Sequence, residues 1–276
     1  MTPAARLLLP PPALAGCVFA AIERDTRGAA LDAQDRVNHF PASPLIALTR
    51  VLDGTLYFVT KDEGKIPVPP LSVMGAQSVP SVSTSDDDVH VLTIAFFPDA
   101  WLRLTGEAPQ TFQDQIRADI PDIIAELFAR ADGSHSAEHL WQQFCDALLP
   151  VWQEMQMQAN WSGKDRLTAW THALFARAIG AGRGKSLRAI ERRLRSWSGQ
   201  TQQSLEFYAR FEKLHQLSIE EKDAPLAALA HEAGFADQSH MGRTVRRATG
   251  YSPAKLNRLI ETEESFWCYR LLGERF

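Results

Sequence analysis

Apolar positions come in short β-type bursts through the first hundred residues and then change to helical spacing. The pattern predicts a β-rich body followed by helices. LIALTRVL and TLYFV, at 45–59, flank Asp53-Gly54, a dipeptide that suits a hairpin turn because it tolerates positive φ. LSVMGA at 71–76 and SVPSVST at 78–84 read as further short strands. VHVLTIAFF at 89–97 reads as a longer strand whose unbroken apolar run predicts burial. From about Phe112 the period is helical, through IPDIIAELFARA and AEHLWQQFCDALLPVWQEM. The apolar faces of helices 121–130 and 137–157 suit packing on the sheet and also pairing with a second subunit, a homodimer. Residues 160–164 read as a loop leading into a second, helical half.

Residues 226–253, LAALAHEAGFADQSHMGRTVRRATGYSP, carry the strongest pattern. Leu226, Leu229, Ala230 and Ala233 form one apolar stripe on a short helix. Gly234 ends that helix, since glycine enters the left-handed region without steric cost. Asp237 or Ser239 can cap a second helix running to about Ala248, with Met241 and Val245 as its inner face. Its outer face carries Gln238, His240, Arg243, Arg246 and Arg247. Two short helices across a glycine turn, the second polar and basic outside, describe a helix-turn-helix that lays its second helix in a DNA major groove.

This stretch resembles the second DNA-reading unit of AraC-type transcription factors. Leu229-Ala230, Gly234-Phe235, Asp237-Gln238-Ser239-His240, Arg243 and Gly250-Tyr251-Ser252-Pro253 carry the match. Members have two such units joined by a long helix, so the resemblance implies an upstream copy. Residues 186–195, SLRAIERRLR, look like the first recognition helix, with Ser186 as cap, Ile190 and Leu194 as buried face, and Gly199 following. Residues 202–219 resemble the joining helix, with Leu205, Tyr208, Phe211, Leu214 and Leu217 apolar. AWTHALFARAIG and GAGRGKS, before Ser186, depart from the usual helix and turn.

Charge segregates along the chain. The whole has 29 basic and 33 acidic residues, net −4, which alone argues against generic nucleic-acid binding. From Lys164 onward there are 19 basic against 13 acidic, and before it 10 against 20. That asymmetry fits a DNA-binding half attached to a non-binding one. Basic density peaks at Arg183, Lys185, Arg188, Arg192, Arg193 and Arg195, which competes with the plainer reading of a solvated helix face. Arginine pairs bidentately with guanine, glutamine with adenine, and a carboxylate accepts from cytosine. The resemblance implies base contacts from Arg188, Glu191 and Arg192 on the first unit and from Gln238, Ser239 and Arg243 on the second, with His240 beside them. Arg195, Arg246 and Arg247 sit nearer helix ends and suit phosphates. Glu191 is equally explained by pairing with Arg188 or Arg195 at helical spacing.

The strand order, IAFFPDAWLRLTG at 94–106 and the helices after it resemble the sensor domain of one branch of the same family. A curved sheet there suits a small effector, with Phe40, Tyr57 and Phe96 as candidate wall residues beside Phe58, Phe97 and Trp101. Simple core is the commoner role for such aromatics.

No catalytic or metal site emerges. His39 and His90 lack a ligand cluster and read as structural, and His135 and His139 lack the His-Glu-x-x-His order. Asp86-Asp87-Asp88 reads as a solvated turn. Cys17, Cys145 and Cys268 are widely spaced and fit reduced thiols in a cytosol. Leu14-Ala15-Gly16-Cys17 has the form of a lipoprotein processing site, yet Pro10-Pro11-Pro12 interrupts the run before it. A Pro-rich lead-in to the first folded element is the better reading.

The expectation is an α+β chain of two domains. Residues 1–160 form a β-rich sensing or dimerisation domain with trailing helices, and 164–276 an all-helical DNA-binding domain with two helix-turn-helix units. The function expected is a non-enzymatic, cytoplasmic regulator with duplex DNA, a small effector and RNA polymerase as partners, and no cofactor or membrane. The alternative is a small-molecule-binding or metal-dependent β-barrel enzyme with an accessory helical domain.

Overall fold

The computed structural model describes residues 3–60, 62, 64–131, 136–155, 166–181, 186–221 and 224–274. Arg183 and Lys185 of the basic peak, His135, and the loop at 160–164 lie outside the described residues.

The first half is a pair of antiparallel sheets. Its strands are β1 (Ala4–Leu8), β2 (Val18–Asp25), β3 (Val37–Phe40), β4 (Ile46–Asp53), β5 (Leu56–Thr60), β6 (Gly64–Pro67), β7 (Leu71–Met74), β8 (Ser81–Ser85), β9 (His90–Phe96) and β10 (Ile116–Arg117). One sheet runs β1-β2-β9-β4-β7-β10 and the other β3-β8-β5-β6. The expected hairpin at Asp53-Gly54 is not formed. β4 pairs with β7 and β9, whereas β5 pairs with β6 and β8, so the chain turns there from one sheet to the other. Gly54 has φ +77°, and an added Cβ would run into the Asp88 carbonyl, so the corner needs glycine for both reasons.

β9 is covered on both faces, as its apolar run predicts. Phe96 meets helices α1 (Pro98–Thr105) and α3 (Ala137–Glu154) through ring contacts with Trp101 at 5.5 Å and Phe144 at 6.2 Å, and Leu92 and Ile94 are buried in the same core, to which α2 (Asp122–Ala131) also contributes. Val91, Thr93 and Ala95 alternate to the other face and line a cavity between the sheets. The Pro-rich segment is part of this body: β1 pairs with β2, and Leu14 and Cys17 are fully buried.

The second half is helical: α4 (Arg166–Gly180), α5 (Leu187–Ser198), α6 (Gln202–Glu220), α7 (Leu226–Glu232), α8 (Gln238–Thr249), α9 (Pro253–Thr262) and α10 (Trp267–Glu274). No described helix is long and apolar enough to cross a membrane. Among the contacts that tie this half to the first, Arg166 donates to the carbonyls of Val18 and Phe19, and Ala42 N–H donates to the Ala248 carbonyl at 2.8 Å.

Candidate nucleic-acid interface

α5 and α8 are built alike, and local sequence explains both. The Ser186 hydroxyl accepts from Ala189 N–H and the Asp237 carboxylate from His240 N–H, each satisfying an orphan donor of the first turn. Gly199 (φ +72°) and Gly250 (φ +82°) take the left-handed cap position and donate to Arg195 O and Arg246 O, both at 2.9 Å. Leu194 on α5, and Met241 and Val245 on α8, are buried against the bundle. Ile190 is only half-buried. Between α7 and α8, Phe235 N–H reaches back to Ala230 O at 2.9 Å across Gly234 at φ +79°.

The outward faces present Arg188, Arg192 and Arg195 on α5 and Gln238, Ser239, Arg243, Arg246 and Arg247 on α8, all exposed. Two expected contact residues are engaged otherwise. Glu191 is half-buried, and its Oε2 accepts from the backbone N–H of Gln202 at 3.3 Å, capping the start of α6. Neither expected role, a cytosine contact or pairing with Arg188 or Arg195, includes this bond. His240 is half-buried with its ring edge-on to Phe235 at 5.4 Å. Arg247 stands 4.3 Å over the Phe207 ring of α6, so its guanidinium is oriented by an aromatic face while remaining exposed. Arg193, part of the basic run, turns inward and donates to Ala178 O at 2.8 Å, closing α5 on α4.

Sequence reasoning missed what surrounds these helices. A groove along α5, lined by Arg188, Arg192 and Arg195, is bordered by Gln110 and Gln113 from the β-rich half. Asp99 on α1, 3% exposed, accepts from the Trp170 indole at 2.8 Å and the Arg177 guanidinium at 2.5 Å, both on α4. In sequence Asp99 reads merely as an acid in a helix's first turn, so nothing local marks it as an anchor.

Of the candidate effector residues, Phe40 lines the cavity between the sheets. Tyr57 lies under the Lys65 ammonium at 5.6 Å, and Phe96 sits in the aromatic core with Trp101 and Phe144. His39 stacks on Phe266 at 4.5 Å, and burial lowers its pKa below the usual histidine value. His90 does have carboxylate neighbours, contrary to expectation. Register places Asp25 opposite it, and Glu23 Oε1 is 2.8 Å from its Nε2. Arg6 binds Glu23 and Arg27 binds Asp25, at 2.6 and 2.7 Å between the charged atoms, so guanidinium groups already neutralise both carboxylates. The group works as an ion-pair network along β2. Asp86 and Asp88 are likewise paired, with Lys65 and Arg36. His139 is exposed, and Cys17, Cys145 and Cys268 are free and buried.

Residues 181–258 match a family described as "Helix-turn-helix domain". No curated protein matches the chain. Among solved structures, an apo variant of ToxT from Vibrio cholerae is 13% identical, covering 86% of this chain and 95% of its own, with a TM-score of 0.38. ToxT bound to an unsaturated fatty acid is 12% identical over 79% of this chain and 93% of its own, with a TM-score of 0.33. The AraC-like transcriptional activator CuxR is 11% identical over 99% of this chain and 100% of its own, with a TM-score of 0.27. These are loose likenesses spread over most of each chain.

Proposed function

We propose, from the premise that residues 181–258 are an AraC-type helix-turn-helix domain, that this protein is a cytoplasmic, sequence-specific transcriptional regulator reading duplex DNA with α5 and α8. One observation carries the reading. Two helices of the same construction, each opened by a side-chain cap and closed by a left-handed glycine, expose arginines away from the core. Arg188 and Arg192 on α5, with Gln238, Ser239 and Arg243 on α8, are the base-reading set. Arg195, Arg246 and Arg247 serve phosphates. His240 sits at the edge of the second contact, and Glu191 acts mainly as a cap that fixes α5 against α6.

Residues 1–160 are the controlling domain and 164–276 the reading domain, with a small effector held in the first. The effector acts by binding one arrangement of the two more tightly than another, since equal affinity shifts nothing.

Selection of bound sequences from random duplexes with the full chain, at near-physiological salt, tests the reading. Two enriched blocks about one helical turn apart are expected. A single short block means that one unit reads bases, and no enrichment removes the reading altogether.

A further inference from the structure

Between the sheets lies a cavity of about 260 Å³ whose wall draws on three parts of the chain. The strands give residues such as Phe58 and Val91, α6 gives Tyr208 and Phe211, and α10 gives Trp267 and Leu272. We propose that this cavity binds an uncharged, largely apolar molecule with one hydrogen-bond acceptor, and that the segment after the second helix-turn-helix is the wall that completes the site.

Size and polarity set the ligand class. A dry cavity of about 150 Å³ takes a benzene ring, so this one suits roughly ten heavy atoms. The charged residues on the wall, Arg24 and Glu212, are already engaged. Arg24 pairs with Glu264 at 2.8 Å, and Glu212 accepts from Leu167 N–H at 3.2 Å. An ionised ligand would lose its hydration on entering a wall that is mostly apolar, a cost that a neutral ligand does not meet. One donor on the wall is unsatisfied: Arg24 is 6% exposed, and its Nε has no hydrogen-bond partner. A ketone, aldehyde or ester oxygen supplies that partner without adding charge.

The C-terminal segment is fitted to the cavity wall. The Trp267 indole donates to Asn38 Oδ1 at 2.6 Å, meets Phe40 edge-on at 5.9 Å and lies 4.8 Å below the Arg24 guanidinium. From the other side of α10, the Tyr269 carbonyl accepts from His215 Nε2 at 2.6 Å. His215 belongs to α6, the helix joining the two reading units. A molecule in the cavity therefore touches the β body, the joining helix and the closing segment together. This inference rests on the regulator reading only for its effect on DNA, because the site itself is tested without DNA.

The experiment titrates the full chain with acetophenone, ethylbenzene and benzoate, matched closely in size, by ligand-observed NMR. Acetophenone should bind about fivefold tighter than ethylbenzene, which lacks the acceptor, and at least about tenfold tighter than benzoate, which is charged. Arg24→Met should remove the preference for acetophenone over ethylbenzene. Trp267→Ala should weaken all binding by about tenfold or more, and Ala95→Leu should do the same by filling the cavity from β9. Trp267→Phe, which keeps an aromatic wall, guards against a variant that merely unfolds and should lose only about threefold. Benzoate binding as tightly as acetophenone overturns the ligand class. Acetophenone binding that is absent in the parent, or unchanged in folded Trp267→Ala and Ala95→Leu, overturns the site. Failure of the DNA selection leaves these results untouched, so the two ideas fail separately.

Discussion

The carboxylate of Asp99 on α1 meets the Arg177 guanidinium on α4 at 2.5 Å, fastening the first reading unit to the β-rich half through a largely buried ion pair. The two partners are not equally buried: the Arg177 side chain is 30% exposed and that of Asp99 only 4%. Removing the arginine strands a buried charge, whereas removing the carboxylate frees a guanidinium that can reach water. Arg177→Met is expected to cost about 3 kcal/mol, and Asp99→Asn about half as much. Urea midpoints of the two variants check the order, and equal losses would contradict it.

Base-reading and phosphate-binding arginines should separate by experiment. Arg188→Ala is expected to relax preference at one base position by about 1–3 kcal/mol. Arg246→Ala should weaken all sequences alike and lower the salt slope by about one. Affinities for a selected site and its single-base variants, at three salt concentrations, distinguish them.

The helix caps make a third expectation. Asp237→Ala leaves the His240 N–H without its acceptor at 2.6 Å and should cost about 1 kcal/mol. Asp237→Asn should recover most of that loss, as thermal unfolding of both variants will show.

His39 gives the fold a pH dependence of defined sign. Its ring stacks on Phe266, and burial depresses its pKa below the ordinary value of 6.5. Above 6.5 the ring is neutral whether folded or unfolded, so it contributes no pH dependence there. As pH falls below 6.5, the unfolded chain takes up the proton first, and stability declines until pH passes the depressed folded value. Urea midpoints at pH 7.5 and 5.5 should drop further in the parent than in His39→Phe.

How much was legible in the sequence follows from how local each determinant is. The ends of α5 are written in local residues, Ser186 and Gly199, and the structure forms them there; of the two caps open for α8, Asp237 rather than Ser239 is used, and the helix runs to Thr249 before Gly250. The buried run of β9 is also local. Sheet partnership is not: Asp53-Gly54 makes a tight turn in either case, and only pairing with β7, β8 and β9 decides that β4 and β5 part company. The carboxylates beside His90 come from β2, more than sixty residues earlier, through cross-strand register. Trp267 offered an aromatic with no assigned partner, because Asn38, Phe40 and Arg24 lie over two hundred residues away. Glu191 looked like a reader from its place in the resemblance, and like an ion-pair partner from its spacing to Arg188 and Arg195, because the start of α6 that it caps was not visible in the sequence.

The central claim is that both α5 and α8 enter DNA. Hydroxyl-radical footprinting of the full chain on a selected site tests it most directly. Two protected windows on one face of the duplex, about 34 Å apart, are the predicted result. A single window that Arg188→Ala and Arg192→Ala leave unchanged would contradict it.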